Sequence, residues 1–430
     1  MGFLNAKTLI LFINLEELVP NRIFTVVDFF SGAGGMSCGF YFHPAFQIVG
    51  AIDAQRGKPS SGWGTLECNK TYETNIGVKP LEADIANLGH NSFKKYLAKQ
   101  TKRKTVDVLI SCAPCTGFSR TIRRNLVEDD PRNSLVTKSA DFVEWLKPKI
   151  FLMENVGELI QGKFNSYYLE LSRKLQSLGY KIEGAIHSLD RFGLPQKRRR
   201  ALVIAVKKSL DLHTLDDLWA DYVINESVTH VRRAIYDLPP VEAGEAHPED
   251  PMHASPNFSQ KGLERLRLIP ADGGSWPDLL NVEGGREYLI PSMERYVKQG
   301  RVGPHPDVYG RLAWDTPAVT LKRECSHTGN GRYAHPEQNR LCTVREMAIL
   351  QGFPTTYNFS ANSLSNMYRH IGDSVPPLIS YQMAWLCQWI LTGEKPDIES
   401  IILPNTHLTS DDIEKEAFKQ LHLDGFQSLK

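Results

Sequence analysis

Through the first half of the chain, short apolar runs rich in β-branched residues alternate with longer stretches of helical period. The runs Phe24–Val27, Gln47–Ile52, Val106–Ser111, Ile150–Met153, Lys181–His187 and Arg200–Val206 are predicted strands. Tyr168, Leu171, Leu175 and Leu178 recur on one face, predicting a helix over Asn165–Gly179 with the glycine just past its end. Strands alternating with helices predict an α/β fold with a doubly wound, mostly parallel sheet, whose ligands lie outside the carboxyl ends of the strands. Past residue 207 the period is lost. Pro239-Pro240, the mixed stretch Glu242–Pro256 and the turn signals at 272–274, 284–285, 303–304 and 329–331 predict a smaller, loop-rich domain. Helical character returns over Val344–Leu350 and Pro377–Leu391.

Composition narrows the classes. The 430 residues carry 50 Lys+Arg against 49 Asp+Glu, a formal charge of +1, and 41% are hydrophobic. These values exclude a disordered tail, a fibrous repeat and a coiled coil. They also argue against coating of DNA or membrane by bulk charge, while leaving room for a local basic groove. Cysteines 38, 68, 112, 115, 325, 342 and 387 form no repeated pairs, so neither a disulfide framework nor a zinc module is expected. No metal is expected, and the sparse cysteines suggest a reduced, intracellular protein. The apolar run Leu9–Leu15 is too short to span a bilayer and reads as a surface helix or an extension of the start site, so no membrane role is expected.

Four clusters carry candidate chemistry, and three of them sit where predicted strands end. Asp28-Phe29-Phe30-Ser31-Gly32-Ala33-Gly34-Gly35 follows the first strand, where glycines let a ligand approach the backbone. It is not the GxGxxG dinucleotide fingerprint. Asp53 ends the second strand, where an acid suits ribose hydroxyls; a tight turn and a solvated acid would look the same. Ser111–Ser119 presents Cys115 in a rigid Pro-Cys turn, favouring a nucleophile over a buried small hydrophobe, while Cys112 reads as structural. Glu154-Asn155-Val156 follows an apolar strand, where a desolvated acid, if protonated, could donate to a ring nitrogen; a helix cap is the bland alternative. Gln196–Arg200 opens a strand, placing Arg198 and Arg200 on one face and Lys197 and Arg199 on the other.

Order and spacing together resemble the DNA (cytosine-5) methyltransferases. The series is Asp-x-Phe-x-Gly-x-Gly-Gly at 28–35, Pro-Cys at 114–115, Arg-Asn-x-Leu at 132–135, Glu-Asn-Val at 154–156 and Gln-x-Arg-x-Arg at 196–200. Arg345-Glu346 with Leu350–Pro354, and Gly372-Asp373-Ser374-Val375-Pro376-Pro377, complete it. Only about 207–340 lacks matching motifs, where the family keeps its variable target-recognition domain. The resemblance implies S-adenosyl-L-methionine as methyl donor. Phe30 would stack on it, the turn Ser31, Gly32, Gly34 and Gly35 would pass close to it, Asp53 would hold the ribose, and Asp84-Ile85 the adenine. Pro114, Ser374 and Val375 would complete the pocket.

The expected organisation is a catalytic domain in two parts, 1–206 and 341–400, around a target-recognition domain at 207–340, with a tail at 401–430. Cys115 would add to carbon 6 of cytosine, Glu154 would act at N3, Arg200 would hold the base carbonyl, and Arg198 would orient the strand or loop. The base must be flipped out of the duplex, and Phe118–Asp130, with Arg120, Arg123 and Arg124, would close over it. Three positions depart from the family pattern: Ala113, Thr116 where glutamine is usual, and Asp373 where asparagine is usual. Double-stranded DNA is the implied partner. Arg265, Arg267, Arg286, Arg301 and Arg323 are candidates for base or phosphate contacts.

The transfer-RNA branch of the family typically carries Cys-Phe-Thr, which does not occur here. The intact Pro114-Cys115 and Glu154-Asn155 argue against an inactive DNA-binding regulator, and the glycine spacing argues against a nicotinamide-dependent oxidoreductase. A compact chain without chromatin-reading modules suggests a prokaryotic or phage enzyme, monomeric, cytoplasmic and associated with the nucleoid. A cognate restriction endonuclease is its expected companion.

Overall fold

The computed structural model describes residues 22–56, 65–103, 105–115, 117–118 and 129–416. The run Leu9–Leu15, Thr116, and Arg120, Arg123 and Arg124 of the expected closing segment lie outside the described residues.

Six of the strands arise from the apolar runs, each slightly longer or shorter than its sequence pattern. They are β1 (Phe24–Phe29), β2 (Phe46–Asp53), β4 (Val108–Ser111), β5 (Ile150–Val156), β6 (Tyr180–Ser188) and β7 (Arg199–Lys207); β3 is the short Leu81–Glu82. They form one sheet in the order β3-β2-β1-β4-β5-β7-β6. The first five run parallel, and β7 pairs antiparallel with both β5 and β6. From β1 the chain turns outward to β2 and then crosses to β4 on the other side. That reversal leaves a crevice at the carboxyl ends of β1 and β4, where such sheets bind ligands.

Period-two alternation sends side chains to two cores, because strands buried on both faces must be apolar on both. Val26, Val108, Ile110, Ile150, Leu152, Leu202 and Ile204 face one core, with Phe40 of α1 (Gly35–Phe42) and Leu378, Ile379 and Leu386 of α10 (Pro377–Thr392). Val27, Phe29, Leu109, Phe151, Met153 and Val203 face the other. There they meet Phe93 of α3 (His90–Gln100), Phe142 of α4 (Ser134–Leu146), and Leu171 and Leu175 of α5 (Ser166–Ser177). Helix α2 (Cys68–Ile76) packs beside α1, and α8 (Val344–Leu350) and α9 (Leu364–Asp373) lead into α10. Each fully buried Leu, Ile or Phe contributes roughly 1.5–3 kcal/mol of transfer free energy. Residues from both ends of the chain therefore hold one sheet together.

Several expectations are revised. Glu154 lies inside β5 rather than after it, because Glu154–Val156 continue to pair with Leu202, Ala201 and Arg200. Leu178 stands at the carboxyl cap of α5 and is 38% exposed, since the helix ends before it could reach the core. The 207–340 segment divides in its packing. Leu215, Leu218, Trp219, Val231 and Ile235, and later Leu312, Trp314 and Leu321, join the core beneath the sheet. A separate small core consists of Ile269, Trp276, Leu279, Leu289 and Met293, between α6 (Gln260–Leu268) and α7 (Pro291–Lys298) and the turns around them. Residues 401–416 are not a free tail. Ile401, Leu403 and Leu408 are buried, and β11 (Ile413–Lys415) pairs antiparallel with β8 (Tyr222–Ile224). A further two-stranded ribbon pairs β9 (Ala246–His247) with β10 (Asp250–Ala254).

Candidate active site

The turn after β1 holds Phe30 at φ 60°, Gly32 at φ 52° and Gly34 at φ 91°, a left-handed sequence that costs Phe30 about 1–3 kcal/mol. Gly32 N–H donates to Asp53 Oδ2 at 2.9 Å, so the two strand ends are cross-tied. Asp53 Oδ1 accepts from Gln55 N–H at 2.6 Å and from the Cys68 thiol at 3.5 Å, and burial pushes its carboxyl above the usual range. Ser31 Oγ is buried and finds no partner among the described residues, and a Cβ on Gly32 would meet open space. An orphaned hydroxyl beside an open backbone turn and an acid is a donor set suited to a nucleoside-bearing ligand.

The expected pocket residues are distributed around this turn with differing freedom. Val375 and Ser374 press on α1: a Cβ at Gly35 would lie 2.3 Å from Val375 O and 2.8 Å from Ser374 Cβ. Ser374 O accepts from Gln351 Nε2 at 2.7 Å and Arg198 Nη2 at 3.3 Å, fixing the returning segment beside the first motif. Pro114 is half-buried. Ile85 is buried in the α3-side core, and Asp84 is already engaged, accepting from Ala86 N–H at 3.1 Å and pairing with Arg56 at 2.7 Å.

The nucleophile candidate stands on the adjoining strand end. Asn155 Nδ2 donates to Ala113 O at 3.0 Å and thereby braces the Pro114-Cys115 turn. Cys112 Sγ accepts from Glu154 N–H at 3.4 Å, a structural use of the neighbouring thiol. Burial pushes the Cys115 thiol up, Arg200 and Arg198 pull it down, and Glu154 and Asp373 push it up again. Cys115 thus shares one electrostatic environment with the acid and both arginines. Glu154 Oε1 lies 2.9 Å from Arg200 Nε, but the N–H is not aligned with it, so the contact is an ion pair rather than a formed hydrogen bond. Arg200 also donates from Nη1 to Arg199 O at 2.7 Å.

Arg198 lies away from the solvent, against backbone. It is 3% exposed, donates to Leu321 O at 3.1 Å as well as to Ser374 O, and burial pulls its guanidinium down to about 9. It braces backbone where three chain segments meet. Two candidate DNA-contacting arginines are likewise committed. Arg265 donates to Tyr288 O at 2.7 Å with its guanidinium 4.7 Å from the Tyr309 ring centroid, and Arg323 pairs with Asp373 at 3.0 Å. Arg267, Arg286 and Arg301 are exposed. Sequence reasoning missed Gln351 and the Arg323–Asp373 pair, whose partners are brought together only by the tertiary fold. It also missed Arg311, which donates to the carbonyls of Leu266, Ile269, His335 and Gln338 and moors the small core. Among the described residues, no group of three or more His, Cys, Asp or Glu could hold a metal, and no helix is long and apolar enough to cross a membrane.

Comparison with known proteins agrees with this geometry. The chain is 28% identical over 378 residues to the type II methylase M.HgiDII of Herpetosiphon aurantiacus, covering 86% of this chain and 96% of the relative. It is 30% identical over 371 residues to the type II methyltransferase M.XorII of Xanthomonas oryzae pv. oryzae, covering 82% of each. Among solved structures, a chain encoded within an Escherichia coli prophage shares the fold, with a TM-score of 0.58 at 23% identity over 86% of this chain and all of that one. The S. pombe Dnmt2 methyltransferase does so with a TM-score of 0.53 at 19% identity over 85% of this chain and 99% of its own. A family model described as C-5 cytosine-specific DNA methylase matches residues 24–388, and with the motif order and the sheet-end crevice this places the chain in the C-5 cytosine-specific DNA methylase family.

Proposed function

We propose that the chain carries out its family's reaction, methylation of carbon 5 of cytosine in DNA, through a covalent adduct of Cys115 with a flipped-out base. The observation that carries this reading is the convergence of Cys115, Glu154 and Arg200 beside the open Ser31–Gly32 turn. S-adenosyl-L-methionine, when bound, supplies an electrophilic methyl group. The orphaned Ser31 hydroxyl, the open face over Gly32 and the buried Asp53 fit such a ligand, with Phe30, Gly34, Gly35, Pro114, Ser374 and Val375 as its remaining walls. Asp84 and Ile85 would flank its adenine, with Asp84 also paired to Arg56.

The residue types then set the chemistry. Carbon 5 of cytosine is a weak nucleophile until a thiolate adds to carbon 6. Arg200 and Arg198 favour the Cys115 thiolate against the cost of burial. Glu154 would act at N3 as negative charge develops there, and Arg200, its ion-pair partner, would hold the base carbonyl. Loss of the carbon 5 proton to a base then expels the Cys115 sulfur and restores the ring. Arg198 acts as a positioning residue, since its Nη1 and Nη2 donate to Leu321 O and Ser374 O.

The small unit around Trp276 is the proposed DNA-reading element, narrower than 207–340, with Arg267, Arg286 and Arg301 available to bases or phosphates. The type II designation of the relatives supports a cognate restriction endonuclease as companion. The test is to incubate the protein with tritiated S-adenosyl-L-methionine and duplex DNA, with RNA as control, and map the label by base. Label on cytosine carbon 5 in DNA is expected; label on RNA alone, or on adenine, would overturn the reading.

A further inference from the structure

Asp373 ends α9 immediately before the Ser374–Val375 turn, and its Oδ2 lies 3.0 Å from Arg323 Nη1. Arg323 arrives on a different segment. Residues 318–323 run beside the Gln196–Arg198 motif, where Lys197 N–H donates to Ala318 O at 2.8 Å and Leu321 N–H to Gln196 Oε1 at 2.9 Å. Arg323 Nη2 also donates to Arg56 O at 3.2 Å, just beyond the end of β2. The segments are in close contact, because a Cβ on Gly372 would lie 2.2 Å from Lys322 O. The pair is therefore set by backbone packing at the edge of the crevice.

Its electrostatic reach locates it further. The charge of Asp373 acts on Cys115, and Asp53, at the proposed ribose end, acts on Asp373. On the reading of the crevice as the methyl-donor pocket, Asp373 adjoins the Ser374 wall and acts on the thiol that the methyl-accepting base would join. Before transfer the donor's sulfur is a sulfonium cation; as its bond to the methyl carbon breaks, the electron pair stays on sulfur and leaves a neutral thioether. We propose that Asp373, its charge partly offset by Arg323, discriminates donor from product by favouring the sulfonium over the thioether. This rests on reading the crevice as the S-adenosyl-L-methionine pocket, and it makes Asp373 and Arg323 specificity-determining residues for the bound species.

The protonation of Asp373 supports a second readout. The Asp373 side chain keeps 34% of its surface exposed, while desolvation by the packing around it raises its carboxyl to about 6, with Asp53 and Glu324 acting in the same direction and Arg323 and Arg198 opposing. His370, on the same helix, is pushed down to about 4 by burial and stays neutral through that range. Burial keeps Cys68 and Cys115 protonated there as well. The preference for donor over product should therefore weaken as pH falls through about 6.

The experiment is calorimetric titration of S-adenosyl-L-methionine and S-adenosyl-L-homocysteine into wild type, Asp373→Asn and Arg323→Gln at pH 8, with wild type repeated at pH 5.5. Asp373→Asn should lower the donor-to-product affinity ratio roughly tenfold, the scale of one partly screened charge pair. Arg323→Gln should raise the ratio, because it removes the offsetting cation. Equal weakening of both ligands in both variants would show a merely structural pair and overturn the proposal. If neither ligand binds wild type, the pocket reading itself fails, and the proposal with it.

Discussion

Gly35→Ala isolates the contact that joins the two ends of the chain at the cofactor side. Gly35 opens α1 with ordinary helical geometry, so alanine causes no backbone strain there and should favour the helix by up to about 1 kcal/mol. The steric term opposes this. The new Cβ would lie 2.3 Å from Val375 O and 2.8 Å from Ser374 Cβ, where ordinary contact begins at 3.4 Å. The turn and the helix must part by about 1 Å, an overpacking that costs about 1–3 kcal/mol. Ser374 O is held by Gln351 and Arg198, so the displacement cannot be absorbed without stretching those bonds. If the loss falls on the bound state, S-adenosyl-L-methionine affinity should fall roughly 5- to 150-fold. Gly77→Ala is the contrasting variant: its Cβ meets open space and its φ of 76° makes the penalty one of backbone strain alone. Calorimetry should show weakened binding in Gly35→Ala and wild-type binding in Gly77→Ala. Unchanged affinity in Gly35→Ala would refute the claim that this contact shapes the pocket.

Further variants address stability and the neighbouring thiol. Glu346 and Arg340 are each 1% exposed and joined by two bonds of 2.7 and 2.8 Å, so Glu346→Gln, which leaves the Arg340 cation buried and unneutralised, should destabilise by about 3–5 kcal/mol in chemical denaturation. Arg340 holds the Glu346 carboxyl below its ordinary value of 4.5, although burial opposes this; the stabilisation is complete above that value and is lost as pH falls through the depressed one. The variant should lack this part of the acid limb. Asp28 behaves oppositely. Burial raises it to about 7, so its favourable contribution is lost as pH rises through 7, and Asp28→Asn should gain stability relative to wild type at pH 8 compared with pH 6. Cys112→Ala removes an acceptor for Glu154 N–H at a cost of about 1–3 kcal/mol, yet should retain methyl transfer in the tritium assay.

The sheet was legible because strands buried on both faces leave continuous apolar runs, and all six predicted strands lie within or overlap observed ones. The short β3 was not, since Leu81–Glu82 carries too little pattern to distinguish from a loop. Strand length mattered at the site. The run ended by composition at Met153, but pairing with β7 carries β5 on to Val156 and puts Glu154 in the sheet opposite Leu202. Alternation separated Arg198 and Arg200 from Lys197 and Arg199, yet could not show that Arg198 would reach the carbonyls of Leu321 and Ser374 on two distant segments. Only tertiary contacts reveal that. Arg265 and Arg323 looked available in a loop-rich segment, because nothing local announces the Tyr309 ring or the Asp373 carboxylate. The closing strand β11 was invisible for the same reason: its partner β8 lies far away in the sequence.

The central claim, that Cys115 bonds covalently to the target base, is tested most directly with duplex DNA carrying 5-fluorocytosine at the mapped site. Fluorine at carbon 5 cannot leave as a proton does, so the adduct should be trapped after methyl transfer. Wild type and Cys112→Ala should each give a protein–DNA complex that survives denaturing electrophoresis, with mass spectrometry placing the DNA on the peptide containing Cys115. Cys115→Ala should give none. A trapped complex in Cys115→Ala, or an adduct mapped to another residue, would contradict the account.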